Sequence, residues 1–246
     1  MRARRLNRNR PLESHEPTAR HSPYPAQLTF TGAAAASSRR PPSSRPSSRR
    51  PASPRRSSSG PASSGGPDHL RLFVALELPQ PARAALVAFR DAAADPSVWR
   101  PVAADALHLT LAFLGRRPAT DVAVIEPILR AAAGSAPRLA FAGAVLLPPR
   151  RARVLCAALE DPDGTLAELQ ARVSGGLAAA GVYVPEKRPF RAHATVARLR
   201  PRARAPRAVE AAPEPLEFDG EALTLFVSRL HPQGARYEPL VRASFH

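Results

Sequence analysis

Residues 107–111 read Leu-His-Leu-Thr-Leu, and an altered copy, Ala-His-Ala-Thr-Val, occupies residues 192–196. Both copies place apolar residues alternately with His and Thr, which is the two-residue period of a β-strand. In such a strand the His and Thr of each copy point to one face, and the apolar residues point to the other. Each copy is therefore expected to present an imidazole beside a hydroxyl, above a buried apolar anchor.

The first 67 residues differ sharply from the rest of the chain. They contain 13 Arg against two Glu, and 29 of the 67 are Ser, Pro or Gly. A segment with so few large apolar side chains cannot offset the entropy of ordering, so residues 1–67 are expected to be a disordered basic leader. The leader is either an arm that contacts nucleic acid through its charge or upstream sequence without a function. Residues 68–246 are expected to form the folded domain.

Several classes of protein fit this chain poorly. No run approaches the ~20 apolar residues that span a bilayer, and no apolar segment of a signal peptide follows Arg4 and Arg5. Cys156 is the single cysteine, so no intrachain disulfide can form, and its apolar neighbours indicate a buried strand rather than a nucleophile. We expect a cytoplasmic protein, a monomer, with no membrane contact.

The patterning after the leader predicts strands and helices in alternation. Strands are predicted at 70–78, 107–115, 138–147, 153–159, 193–199, 223–230 and 235–245. Helices are predicted at 80–94, around 122–129 and from 166 onward, with Gly181 closing the third. Thr165 is a plausible N-cap of the third helix, and Pro127 would damage the interior of the second. Most connections suit antiparallel neighbours, which predicts an α+β fold with an antiparallel sheet and helices on its outer face.

The paired imidazoles and hydroxyls limit the kinds of reaction that the two strands could catalyse. A zinc site needs three or four ligands, and no Cys or carboxylate cluster accompanies the two strands; no Ser stands in a nucleophile elbow. Phosphodiester cleavage fits better, because a neutral His can take a proton from water while a protonated one donates to the leaving oxygen. The Thr hydroxyls can donate to the phosphate oxygens. The residues therefore predict a hydrolysis that needs no metal and no cofactor.

The chain resembles the two-histidine phosphoesterase superfamily and, within it, the RNA 2′,3′-cyclic phosphodiesterase family, also called the 2′-5′ RNA ligase family. The resemblance covers residues 70–245 and is carried by the stretches 71–76, 107–115, 188–198 and 223–230, with Trp99 ahead of the first His strand. It implies a bilobal fold in which two pseudo-symmetric antiparallel sheets, with helices on their outer faces, enclose a central cleft. Ala192 and Ala194 depart from the residues usual in the family, and neither is a catalytic group.

The resemblance also implies roles for four residues. His193 would be the general base that activates water, and His108 the general acid that protonates the departing 3′ oxygen. Thr110 and Thr195 would hold the phosphate. The implied reaction opens a 2′,3′-cyclic phosphate at the end of an RNA or nucleotide to a 2′-phosphate.

Other residues are candidates on weaker grounds. Arg191 has the strand parity of His193 and could bind phosphate, whereas Arg198 has the opposite parity, which favours a structural ion pair. Phe73 could stack on a base, although core packing is the commoner role of a Phe.

Two other readings of the same residues stay open. A related enzyme would join RNA ends through a 2′-5′ bond or act on a non-RNA cyclic phosphate. A protein of a different class would keep the cleft only to bind RNA or nucleotide, which the intact His and Thr set argues against.

Overall fold

The computed structural model describes residues 69–231 and 234–246. The predicted disorder of the leader, residues 1–67, falls outside these residues. Across the described part of the chain, no helix combines the length and apolarity needed to cross a bilayer.

Nine strands and three α-helices form the framework of the described residues. In chain order they are β1 (His69–Glu77), α1 (Gln80–Ala93), β2 (Trp99–Pro101), β3 (His108–Pro118), α2 (Asp121–Ala132), β4 (Arg138–Leu147), β5 (Val154–Glu160), α3 (Thr165–Ala179), β6 (His193–Leu199), β7 (Glu217–Asp219), β8 (Ala222–Arg229) and β9 (Arg236–Ser244). The α+β class and every predicted strand and helix are confirmed. The sequence does not predict β2 and β7, because three residues are too few to show alternation.

All strand pairs are antiparallel, and together they form one continuous sheet in the order β7-β4-β5-β6-β3-β1-β8-β9, with β2 beside β6. The middle of this order joins two halves of four strands each, with β2 as an additional strand beside β6, and each half has a His strand at its inner edge. The two sheets expected from the resemblance are these halves. They are linked through β3 and β6 by a single residue pair, Leu109 opposite Ala194.

A single core cluster lies against one face of the sheet. Leu109 and Ala194 belong to it, and both are fully buried. The helices contribute stripes at helical spacing, namely Ala82, Leu86 and Phe89 of α1, Ile125, Leu129 and Ala132 of α2, and Leu166, Leu169, Val173 and Leu177 of α3. The apolar residues of the His strands are thus anchored in the core, as their alternation predicts.

The helices differ from the sequence expectation at two positions. The α3 helix is capped by Asp161 instead of Thr165: the amides of Leu166 and Ala167 donate to its carboxylate at 3.1 and 2.9 Å. Thr165 is the first residue of α3, and its buried hydroxyl has no partner among the described residues. Pro127 lies inside α2, where tertiary packing of the apolar stripe outweighs the lost hydrogen bond.

Candidate active site

The join between the two halves of the sheet brings the two His-x-Thr motifs together. Because β3 and β6 are antiparallel and Leu109 lies opposite Ala194, one step along each strand places His108 beside Thr195 and Thr110 beside His193. All four side chains share the face opposite the buried pair. The sheet therefore builds one group of two imidazoles and two hydroxyls from segments 85 positions apart in the sequence (193 − 108).

Hydrogen bonds orient the His108 ring. Its Nδ1–H donates to the carbonyl of Ala106 at 2.8 Å, and its Nε2 lies 3.0 Å from the Thr110 hydroxyl. A carbonyl can only accept, so the proton is on Nδ1 in the neutral ring and Nε2 accepts from Thr110. The neutral imidazole thus presents a proton-accepting nitrogen toward the shared face.

Aromatic rings enclose His108 on the β8–β9 side. The Phe73 ring lies 4.9 Å from the imidazole, Tyr237 meets it edge-on at 5.2 Å, and Phe226 lies at 6.2 Å. Phe73 in turn stacks on Phe226 at 5.3 Å. This wall covers one side of His108, which is half-buried.

The surroundings of His108 lower its pKa from the ordinary 6.5 to about 4. Burial is the main cause, since it penalises the charged ring, and the positive charges of Arg198 and His193 act in the same direction. The Ala106 carbonyl opposes them by accepting from Nδ1–H. In these surroundings His108 is neutral at physiological pH.

His193 repeats the orientation of His108 in a more open setting. Its Nδ1–H donates to the carbonyl of Arg191, two residues earlier, at 2.8 Å. The same two-residue spacing joins His108 to Ala106. The His193 Nε2 is then the nitrogen available to a substrate.

A cavity of about 700 Å³ opens beside Thr110 and His193. Its lining comes from β3, the β4–β5 connection, α3 and the loop before β6: Thr110, Leu111, Ala112, Phe113, Leu147, Pro148, Pro149, Arg153, Val154, Gln170, Ser174, Tyr183, Pro185, Glu186, Arg188, Pro189, Phe190, Arg191 and His193. Apolar and aromatic walls with a few convergent polar groups are typical of a small-molecule or nucleotide site. The position of His193 and Thr110 at its edge makes it the candidate substrate cavity.

Cys156 lies behind the second motif. Its thiol is fully buried, with Sγ 3.6 Å from the Thr195 hydroxyl, and burial raises its pKa to about 11. A thiol that stays protonated is a poor nucleophile. The thiol thus packs beneath Thr195, as the apolar neighbours of Cys156 in the sequence suggest.

Arg198 is placed differently from the expectation based on parity. In the β5–β6 ladder Thr195 lies opposite Cys156 and Ala197 opposite Leu155, so β6 carries one extra residue between them. Because of this bulge, residues on its two sides that have opposite parity in the sequence can lie on the same face of the strand. The exposed Arg198 forms no ion pair with a described residue, and its charge reaches His108. The sequence of this stretch gives no sign of a bulge, so strand parity alone could not place the charge of Arg198 near His108.

The two weaker candidates have different settings. Arg191 is exposed and lines the cavity beside His193, where a phosphate could reach it. Phe73 is only 3% exposed, and its ring is enclosed by His108, Phe113, Phe226 and Tyr237. Its position favours a role in burying His108 over base stacking. Phe113, 63% exposed and also on the cavity wall, is the aromatic ring open to a ligand.

Among the described residues, no three His, Cys, Asp or Glu side chains lie close enough to hold a metal ion. The metal-free reaction stays a prediction.

Comparison with known proteins places the fold and the site in context. The family model of the 2′-5′ RNA ligase superfamily matches residues 78–232. An RNA 2′,3′-cyclic phosphodiesterase of Thermus thermophilus is 35% identical over 71% of this chain and 90% of its own length. The Escherichia coli protein of the same name is 33% identical over 70% of this chain and 94% of its own.

Solved structures agree with these relatives. Escherichia coli LigT complexed with 3′-AMP is 28% identical, with a TM-score of 0.63 over 72% of this chain and 99% of its own. The crystal structure of a Thermus thermophilus protein is 31% identical, with a TM-score of 0.60 over 71% of this chain and 97% of its own. The family match covers more than half of the chain, and the relatives match along nearly their whole length. The chain belongs to the 2′-5′ RNA ligase superfamily.

Proposed function

We propose that this protein is an RNA 2′,3′-cyclic phosphodiesterase, which opens the cyclic phosphate at an RNA 3′ end to a 2′-phosphate. The observation that carries the proposal is the single site formed where Leu109 meets Ala194, with two His and two Thr on one face. Its relatives from Thermus thermophilus and Escherichia coli carry the name of this activity.

The four groups have complementary roles in this reaction. His193 accepts a proton from water as the water oxygen attacks phosphorus, and the P–O3′ bond breaks. His108 gives its proton to the departing 3′ oxygen, which leaves as a hydroxyl. Thr110 and Thr195 donate to the non-bridging oxygens as their negative charge grows, and Arg191 is a further candidate for binding them.

The lowered pKa of His108 is compatible with a general acid only if the substrate changes it. A cyclic phosphate carries a negative charge, and an anion beside the ring favours the imidazolium. In the free protein Thr110 donates to Nε2 of His108. With substrate bound, the hydroxyl can turn to a phosphate oxygen, which frees Nε2 to carry the proton. Substrate binding then brings the acid into its working form.

All four groups come from one chain, so the site needs no second copy. A monomer acting in the cytoplasm, on RNA or a nucleotide with a 2′,3′-cyclic end, is the corresponding proposal.

Turnover of a 2′,3′-cyclic-ended RNA in EDTA, followed by phosphorus NMR, tests this function. We expect a 2′-phosphate product at a rate that EDTA does not change. A joined 2′-5′ strand would favour the ligase reaction. Binding without any product would indicate a recognition protein, and loss of turnover in EDTA would contradict the metal-free mechanism.

A further inference from the structure

A second cavity, of about 620 Å³, lies next to the candidate active site and is strongly basic. Six arginines line it: Arg150, Arg151, Arg153, Arg202, Arg204 and Arg207. The remaining lining residues are Leu, Pro and Ala, and no carboxylate is among them. We refer to this cavity as the arginine groove.

Two distant segments build the arginine groove. Three of its arginines come from the β4–β5 connection, residues 148–153, and three from the Arg- and Pro-rich connection that follows β6. Backbone bonds hold these segments side by side, since the Leu199 amide donates to the Arg153 carbonyl at 2.8 Å and the Arg153 amide donates to that of Leu147 at 2.7 Å. The convergence of the cations is therefore set by the sheet and not by a loop alone.

The arginines of the groove lack the ion pairs that several other described arginines form. Arg130 and Arg229, for example, pair with Glu126 and Glu238 at 2.7 and 2.8 Å. All six groove arginines are exposed, and none of their guanidinium groups bonds to a residue of the described ranges. Like charges held together repel one another, which costs stability unless an anion binds. An anion bound in the groove would relieve this repulsion.

The backbone at Arg202 supports a functional reading. Its φ is +67°, the left-handed region that residues other than Gly seldom adopt. It follows β6 in a turn closed by the Ala203 amide donating to the Arg200 carbonyl at 3.2 Å. Strain of this kind is typically held at functional positions, where the surrounding structure maintains it.

The groove is continuous with the candidate substrate cavity. Pro149 and Arg153 line both of them. A strand whose cyclic end lies between His108 and His193 can therefore continue past Arg153 into the groove. A path that begins at a phosphate site favours a nucleic acid over an acidic protein as the ligand of the groove.

We propose that the arginine groove binds the backbone phosphates of the RNA strand that leads to the cyclic end. The protein then acts preferentially on RNA chains and less well on 2′,3′-cyclic mononucleotides, which reach only the first cavity. This inference rests on the proposed function. Its source of affinity is charge, so the advantage of the longer substrate depends on salt.

The test compares two triple variants with equal changes in charge. The groove variant is Arg202→Ser, Arg204→Ser and Arg207→Ser, which leaves the shared Arg153 in place. The control variant removes three exposed arginines that line neither cavity, through Arg71→Ser, Arg116→Ser and Arg236→Ser. Both proteins are measured as full chains beside the wild type, and a triple Arg→Lys groove variant tests whether charge alone restores binding.

Two measurements are made on each protein. Fluorescence anisotropy gives the affinity for a labelled RNA of about 12 nucleotides ending in a 2′-phosphate, at about 50 and about 200 mM salt. Turnover is measured on the same RNA with a cyclic end and on a 2′,3′-cyclic mononucleotide. We expect the groove variant to bind RNA about 10- to 100-fold more weakly, with a salt slope shallower by about 2, and to keep mononucleotide turnover. The control variant and the Lys variant should bind RNA within about threefold of the wild type.

Three binding results would overturn the inference. They are unchanged RNA binding in the groove variant, an equal loss in the control variant, and binding of a poly-glutamate peptide as tight as that of RNA. An equal loss of turnover on both substrates would also contradict it, because the groove would then serve the catalytic cavity itself. If the wild type binds RNA through the groove but opens no cyclic phosphate, the proposed function and the substrate preference fail, while the binding of RNA in the groove stands.

Discussion

The two His-x-Thr strands have the same local geometry and different surroundings. In both, the Nδ1–H of the His donates to the carbonyl two residues earlier at 2.8 Å. His108 is then enclosed by Phe73, Phe226 and Tyr237, whereas His193 lies at the edge of an open cavity. The motif determines which nitrogen faces the substrate. The surroundings decide how easily that nitrogen takes a proton.

This difference suits a reaction that needs one acid and one base. If both imidazoles had the same environment, nothing in the protein would distinguish their roles. In the proposed mechanism the protonation of His108 depends on a bound anion, while His193 lines the candidate substrate cavity. The following predictions test whether the different surroundings of His108 and His193 determine their roles as acid and base.

Removing either imidazole should have the largest effect. His108→Ala and His193→Ala should each lower kcat on a cyclic-ended RNA by about 10²- to 10⁴-fold, the usual contribution of general acid–base catalysis. His69→Ala is the matched control, since His69 is exposed and lines neither cavity, and should retain wild-type turnover. Circular dichroism checks that all three remain folded. Near wild-type kcat in either site variant would contradict the mechanism in which one imidazole acts as the acid and the other as the base.

The burial of His108 should also appear in the pH dependence of stability. Its folded-state pKa of about 4 lies below the ordinary 6.5, so between these values the unfolded chain binds the proton more readily. The free energy of unfolding should therefore fall as pH is lowered from about 7 to about 4, by on the order of 2 kcal/mol from this group.

Urea unfolding at both pH values measures this contribution. In His108→Ala the difference between the two pH values should shrink by that amount, and in His69→Ala it should stay as in the wild type. An unchanged difference in His108→Ala would show that the aromatic wall does not keep His108 neutral.

Cys156 should have the smallest effect. Cys156→Ala removes a buried Sγ beside Thr195, so we expect a loss of about 1 kcal/mol in the free energy of unfolding and less than about a tenfold change in kcat. Iodoacetamide should not modify the native thiol, whose pKa is about 11. Loss of activity as large as that of His193→Ala would indicate a nucleophilic thiol and contradict the roles given to the imidazoles.

Local patterning is enough to predict much of the fold. Alternation around His108 and His193 predicts both strands, and apolar spacing predicts the three helices. The shared residue types of the two motifs predict that they meet in one site. These features are predictable because they depend on residues close together in sequence and on the burial of one face.

What the sequence does not reveal depends on long-range packing. Phe73 lies on the less apolar face of β1, and its burial follows from Phe226 and Tyr237 on strands more than 150 residues later. The bulge that changes the alternation before Arg198 occurs where β6 pairs with β5. The arginine groove needs two connections to meet across the sheet. Neither the hydrophobic periodicity nor the composition of the sequence shows which distant segments come into contact.

The most direct test of the asymmetry uses a substrate in which sulfur replaces the departing 3′ oxygen of the cyclic phosphate. A thiolate, with an ordinary thiol pKa of about 8.5, leaves without help from an acid, whereas an alkoxide does not. On this substrate His108→Ala should turn over within about tenfold of the wild type, and His193→Ala should remain as impaired as on the oxygen substrate. Rescue of His193→Ala instead of His108→Ala, or of neither, would contradict the assignment of His108 as the acid and His193 as the base.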